Sequence, residues 1–256
     1  MDNVVGGLMM DTAPTNITAF VGNVPQNYES YMVPIFMRPF AEDLAKRIAK
    51  SNPTRILELA AGTGILTECV HRELPNAEIV ATDLNEDMIS HAQSVRPQVR
   101  ANWKTADAMD LPFPDESFDV VAMQFGYMFI PQQIEALKEI YRVLKPGGRV
   151  LFSTWDSLEK NELTSEAKSA LVDQVEPGPP KFLDVPFAMH DPAPILQDMQ
   201  MAGFETSTPA WVTTNSVSKS AEDAANGIVF GTPLFGAIKD NNRDADTVRD
   251  HLAQAF

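Results

Sequence analysis

The chain has one cysteine, Cys69, among 256 residues. A single thiol closes no internal disulfide, so the fold must rest on its core, and a reducing compartment is expected. Positive charge is also scarce: 20 Lys and Arg stand against 35 Asp and Glu, a formal net charge of −15. Polynucleotide binding relies on Lys and Arg contacts to phosphate. With no basic run in the chain, nucleic acid is not an expected partner, and the excess acid reads as solubility. No apolar run approaches the roughly 18 residues of a membrane span. Met1 to Asp11 lacks a basic segment followed by a long apolar one, so neither a span nor a secretory leader is expected, and the cytoplasm is the default. Paired Cys/His spacings are missing, as is a Gly-x-x-x-x-Gly-Lys phosphate loop, so no metal site is expected.

What is present is apolar material and a repeating order of elements. Hydrophobic residues make up 44% of the chain and charged residues 21%, enough for one large domain or a core with a small cap. The first 25 or so residues are weakly patterned and read as an arm. Phe40, Leu44 and Ile48 recur at helical spacing. Strand and helix then alternate. Arg55 to Leu59, Glu78 to Asp83, Ala101 to Ala106, Asp119 to Phe125 and Arg149 to Thr154 read as strands. Leu66, Val70 and Leu74, then Asn85 to Ser94, then Ile134, Leu137, Ile140 and Leu144 mark the helices between them. Pro146-Gly147-Gly148 predicts a turn before the fifth strand. Such alternation implies parallel βαβ units with right-handed crossovers. Beyond Trp155 the pattern loosens. Asp191 to Ala202 reads as a helix stopped by Gly203, Phe204 to Thr213 as a strand, and Val248, Leu252 and Phe256 as a closing helix.

In an open α/β sheet, ligands sit beyond the carboxyl ends of the strands, near the first strand-to-helix turn. Here that turn runs from Glu58 through Gly62 and Gly64. The glycines permit positive φ, and the helix that follows presents free N–H groups. Glu58, at the strand end, would repel a pyrophosphate but suits a ligand with an amino group and a sulfonium. A dinucleotide fingerprint also wants a glycine where Thr67 stands. Asp83, ending the second strand, is placed to accept from ribose hydroxyls, unless it serves as a helix cap. Asp107, after the third strand, is placed for an adenine amine, with Leu84 and Met88 as apolar walls.

At these residues the chain resembles the class I S-adenosylmethionine-dependent methyltransferases, and is most similar to the small-molecule branch of ubiquinone and menaquinone biosynthesis. The resemblance runs through Ile56-Leu57-Glu58-Leu59-Ala60-Ala61-Gly62-Thr63-Gly64 and Val80-Ala81-Thr82-Asp83-Leu84-Asn85. It continues through Ala106-Asp107-Ala108, Asp115-Glu116-Ser117-Phe118-Asp119-Val120-Val121 and Arg142-Val143-Leu144-Lys145-Pro146-Gly147-Gly148, covering roughly residues 50 to 155. It implies an α/β fold: a doubly wound, mostly parallel, Rossmann-like sheet of strand order 3-2-1-4-5-6 with a helical cap. The family's seventh, antiparallel strand has no convincing counterpart after Thr214. The implied organisation is residues 1–38 as arm and lid, 39–156 as the cofactor-binding core and 157–256 as cap helices and remaining sheet edge.

The implied cofactor is S-adenosylmethionine, with S-adenosylhomocysteine as product. Glu58 and Gly62 would lie by the methionine part, and Gly64 would support the turn. Ala60 stands where the family has its first loop glycine. Asp83 would hold ribose, Leu84 and Met88 would flank adenine, and Asp107 with the Ala108 amide would read its edge. Gln124 and Phe125 would pass near the methionine moiety. Of Tyr28 and Tyr31, Tyr31 is the residue chosen to close over the cofactor.

Methyl transfer from a sulfonium needs alignment and exclusion of water more than a fixed triad. A base is needed only if the nucleophile must lose a proton; His190 is the candidate. Tyr127 and Trp155 follow strands four and five and are candidates for the acceptor pocket. The expected acceptor is a small molecule with an O, N or C nucleophile, and the expected assembly a monomer or homodimer. After strand four the chain has Gln124-Phe125-Gly126-Tyr127, without the Asn/Asp, two prolines and aromatic of adenine and cytosine amino-methyltransferases. A nicotinamide oxidoreductase, and a binding protein without turnover, are the competing readings.

Overall fold

The computed structural model describes residues 22–172, 183–205 and 207–256; most of the N-terminal arm, residues 1–21, lies outside them. A short helix α1 (Val24–Asn27) runs into a π-helix (Tyr28–Met37) and then into α2 (Arg38–Ala49). Pro34 explains the widened middle segment. It has no N–H to give its own turn, and the ladder resumes with the Arg38 N–H donating to the Val33 carbonyl, five residues back.

Five strands follow: β1 (Arg55–Leu59), β2 (Glu78–Asp83), β3 (Asn102–Thr105), β4 (Phe118–Gln124) and β5 (Leu144–Ser153). Helices α3 (Ile65–Glu73), α4 (Glu86–Val95) and α5 (Gln133–Val143) connect them. The order is β3-β2-β1-β4-β5, every pair parallel. β1 and β4 lie at the centre, and Leu57, Val121, Ala122 and Met123 are wholly buried there. A parallel sheet covered on both faces calls for such continuous apolar strands.

The pleat divides the core. Ile56, Val120 and Ala122 face a cluster with α2, α3 and the π-helix, through Leu44, Ile48, Leu66 and Val70. Leu57, Leu59, Val121 and Met123 face the other way, onto Leu137 and Ile140 of α5 and Ile195 and Met199 of α7 (Pro192–Met201). A third cluster joins α6 (Glu162–Ala170), α8 (Ala221–Phe230), α9 (Leu234–Asp240) and α10 (Ala245–Ala255), centred on Leu171, Val229, Leu234 and Leu252. No helix of the described residues is long and apolar enough to cross a membrane.

Two expectations need correction. The Pro146-Gly147-Gly148 turn is a bulge inside a longer β5: the register jumps from Phe118↔Leu144 to Val120↔Arg149. The sixth strand expected at Phe204 to Thr213 does not form among the described residues, so the sheet there ends at β5. Thr206 lies outside the described residues. Pro209 can donate no ladder hydrogen bond, and Trp211 is 67% exposed, without the buried face that holds a strand in register.

Gly64 shows how tightly the first crossover is packed. Its φ is +87°, and an added Cβ would lie 2.5 Å from the Trp103 ring on β3. Gly64→Ala is expected to cost about 2–4 kcal/mol from left-handed strain plus overpacking. Thermal unfolding should show a Tm lower by ~4–16 °C for a chain of this size; an unchanged Tm would contradict the packing described.

Candidate functional site

The tips of β1 and β2 are built around two buried carboxylates. Glu58 is 2% exposed, on the face of β1 that meets α3, and accepts from the Thr67 hydroxyl at 2.7 Å. Burial raises its pKa to about 8, against the opposing pull of the Thr67 hydrogen bond and the Arg96 charge; the Asp83 charge adds to the rise. The Thr82 hydroxyl donates to the Glu58 carbonyl at 2.9 Å, locking the two tips together.

Asp83 is 8% exposed. Its Oδ2 accepts from the Gly62 N–H at 2.8 Å and its Oδ1 from the Asn85 N–H at 2.9 Å. Burial raises its pKa, while the N–H groups of Asn85, Gly62 and Leu84 oppose the rise. Asp83 is thus a brace between the glycine loop and the start of α4. Asn85 occupies the cap position of α4, without a side-chain cap bond. Each Asp83 oxygen keeps a lone pair for a further donor.

The loop between these tips is bent at alternate residues. Ala60, Gly62 and Gly64 all have positive φ, at 50°, 55° and 87°. Ala60 carries a Cβ in a conformation that costs about 1–2 kcal/mol. Its methyl lies against Gly126, where any side chain would begin 2.6 Å from it. Gly126 therefore accommodates the substituent at Ala60. Open space surrounds the Gly62 Cβ position, so that side of the loop is accessible.

The other predicted residues lie at the same edge of the sheet, and their environments differ. Leu84 is 56% exposed while Met88 is buried. Asp107 is half-buried and accepts from the Met109 N–H at 2.8 Å. Ala106 ties this segment to β2 through the Asp83 carbonyl, at 3.0 Å. Ala108 packs against the α5 face of the core. Gln124 donates its amide N–H to the Met37 carbonyl at 3.0 Å, which leaves its Oε1 buried with no hydrogen-bond partner. Phe125, at φ 52°, stacks on Trp155 with ring centroids 3.7 Å apart and planes 4° from parallel. Phe40 of α2 meets both edge-on, at 5.2 and 5.5 Å.

Tyr28, on the π-helix, feels the Asp83 carboxylate: burial first, then the Asp83 and Glu29 charges, raise its pKa and keep it an O–H donor. Tyr31 packs instead toward α8, its Cβ 3.2 Å from the position a Cβ would take at Gly227. Tyr127 has no exposed surface. It lies in the core between β4 and α5, tilted on Phe152 and bonded to Asp198 of α7 at 3.3 Å. His190 is exposed, and its Nδ1 bonds the Phe187 carbonyl at 2.9 Å. A carbonyl only accepts, so Nδ1 carries the hydrogen and the neutral ring offers Nε2 as its basic atom.

Sequence reasoning passed over three residues that matter here. Thr67 sits where a dinucleotide loop would have glycine, and serves as the hydroxyl partner of Glu58. Phe40 was visible only as a helix-face residue. Arg96, just after α4, had no local signal; its role depends on partners 28 and 67 residues away.

Residues 56–148 match the methyltransferase domain family. A ubiquinone/menaquinone biosynthesis C-methyltransferase from Dinoroseobacter shibae is 40% identical over 119 residues, 45% of this chain and 46% of that protein. A demethylmenaquinone methyltransferase from Thermus thermophilus is 41% identical over 113 residues, 43% of this chain and 50% of that protein. This chain's match therefore spans about half the length of these curated relatives. A solved S-adenosylmethionine dependent methyltransferase from Mesorhizobium loti overlaps 40% of this chain and 47% of its own, at 26% identity and a TM-score of 0.37.

The buried Glu58 has a consequence for stability. Its native pKa is raised, so between its ordinary value near 4.5 and about 8 the folded state holds a proton that the unfolded state has lost. Stability from this group therefore falls as pH rises through that window, by up to about 1.4 kcal/mol per unit. Urea unfolding at pH 5.5 and pH 8 should show a steeper loss for wild type than for Glu58→Gln; equal slopes would refute the assignment.

Proposed function

We propose that this chain, which carries a class I S-adenosylmethionine-dependent methyltransferase domain, moves a methyl group from that cofactor to a small-molecule acceptor by in-line displacement. The carrying observation is the pair of buried carboxylates at adjacent strand tips, with an unsatisfied acceptor, Gln124 Oε1, at the tip of the next strand. A pocket lined this way favours cationic and N–H donor groups. It disfavours a pyrophosphate.

The residues fit the cofactor part by part. Asp83 would take the ribose hydroxyls on lone pairs not used by Gly62 and Asn85. The exposed Leu84 offers an apolar surface for adenine beside the buried Met88, with Asp107 and the Ala108 amide at the base edge. Glu58 and Gln124 Oε1 would face the amino group of the methionine part, with Ala60, Gly62 and Gly64 shaping the loop around it. Tyr31, the residue expected to close over the nucleoside, packs toward α8, so Tyr28 beside Glu29 is the alternative to test in that role.

Bound there, S-adenosylmethionine supplies an electrophilic methyl whose leaving group departs neutral. The chain's share is alignment, desolvation and, for an acidic acceptor, removal of one proton. Phe40, Phe125 and Trp155 form an aromatic wall beside the tips of β4 and β5, which favours a flat apolar acceptor. Tyr127, sealed in the core, supports that wall from behind the sheet. His190, on the turn next to Phe187, offers Nε2 as the base. The two relatives named above are quinone-pathway enzymes by name, so activated carbon on an electron-rich ring is the first acceptor atom to test.

Two measurements decide the reading. Titration calorimetry should show binding of S-adenosylhomocysteine and none of NADH; the reverse result overturns the proposal. Asp83→Ala should weaken that binding by about 1–3 kcal/mol, roughly 5- to 150-fold. Wild-type affinity in the variant would remove Asp83 from the ribose site. Labelled methyl transfer to quinol, phenol and amine panels then identifies the acceptor class, and cofactor binding with no transfer to any of them would mark a binding protein.

A further inference from the structure

The lid and the glycine loop share one buried cation. Arg96 is 2% exposed. Its Nη1 donates to the Thr63 carbonyl in the loop at 2.5 Å and to Glu29 Oε2 at 3.0 Å, and Nη2 donates to Glu29 Oε1 at 2.8 Å. Its Nε donates to Glu68 Oε2 on α3 at 3.0 Å, and Arg38, at the start of α2, reaches the other Glu68 oxygen at 3.2 Å. One planar fork thus clamps the π-helix, the loop and α3. The bidentate geometry fixes direction as well as distance, which a lysine cannot do.

Glu29 is the residue that makes this more than internal bracing. It adjoins Tyr28, the tyrosine coupled to Asp83. Glu29 side-chain exposure is 22% against 2% for Arg96, so the pair sits at the seam where the lid meets the body. The lid's other polar tie to α4 is exposed, the Gly22 N–H to Asp87 at 3.0 Å. Its far end is tied to β4, where the Gln124 amide N–H donates to the Met37 carbonyl at 3.0 Å; the buried apolar contacts through Val24, Val33, Ile35 and Phe36 fix no particular register.

We propose that the Glu29–Arg96 pair is the positioning latch of the site: it seats the π-helix against the body, holds the Thr63 carbonyl of the loop in place, and so sets how long the nucleoside stays bound. The part concerning the nucleoside rests on the cofactor reading above. The two glutamates facing Arg96 are not equivalent. Glu29 belongs to the lid and Glu68 to the body, so their removal separates latching from general support.

Glu29→Gln keeps the shape and drops the charge. Hydrogen exchange of the cofactor-free protein should then speed up across residues 24–37, and S-adenosylhomocysteine should dissociate about 10- to 100-fold faster in stopped flow, the range of a lost charge-assisted hydrogen bond. Arg96→Lys should move both readouts in the same direction, because the fork is lost although the charge remains. Glu68→Gln should leave lid exchange and release within a few-fold of wild type, even if its Tm falls. The latch is refuted if Glu29→Gln leaves lid exchange at the wild-type rate, or if Glu68→Gln accelerates exchange and release as much as Glu29→Gln does. Should wild type bind no S-adenosylhomocysteine, the cofactor reading fails, and the exchange comparison still decides whether the pair holds the lid.

Discussion

Two carboxylates buried at neighbouring strand tips set the terms for the upper half of this molecule. Glu58 and Asp83 are close enough to repel, and both are nearly inaccessible to water. Burying like charges is costly unless hydrogen bonds or countercharges offset it. The offsets are visible one by one: the Thr67 hydroxyl for Glu58, the Gly62 and Asn85 amides for Asp83, and the Arg96 charge opposing the rise in the Glu58 pKa. The remaining imbalance leaves Glu58 protonated near neutrality. A cation at these tips would offset that imbalance.

Strain gathers at the same edge. Ala60 beyond β1 and Phe125 beyond β4 both hold positive φ with a side chain present, and β1 and β4 are adjacent. Such residues persist only where the surroundings over-determine them. For Ala60 the surroundings are the bare Gly126 and the Ala61 N–H bond to the Thr82 carbonyl. For Phe125 they are the Trp155 stack and the Phe125 N–H bond to the Ser153 carbonyl. Both distortions turn the backbone away from the strand direction just where a ligand would approach. Loop shape and aromatic wall are therefore consequences of how β1, β4 and β5 end.

The π-helix packs against two bodies. One side of the π-helix packs on the sheet cluster through Val33, Ile35 and Phe36, and the other lies against α8, where Tyr31 and Met32 crowd Gly227. A side chain at Gly227 would meet them at 3.2 Å. The C-terminal helices thus press on the segment that carries Tyr28 and Glu29.

Local pattern was sufficient for much of this. The alternation of β-rich runs with apolar residues at helical spacing specified the central βαβ order, because burial on both faces of a parallel sheet leaves few other ways to read such a chain. Glu58, Asp83 and Asp107 could be placed at one edge from sequence, since parallel strands all end on the same side. Tertiary structure decided the rest, for reasons that are not local. Tyr127 goes to the core because α5 and α7 close over that face, with Asp198 meeting its hydroxyl. Beyond Phe204 the composition is strand-like, yet the described residues stay unpaired, since a strand needs a neighbour as well as a propensity: Pro209 can donate no ladder bond and Trp211 is exposed. Arg96 carries no signal in the sequence. Only folding brings Glu29, Thr63 and Glu68 around its guanidinium, and charge pairing across such distances along the chain leaves no periodicity behind.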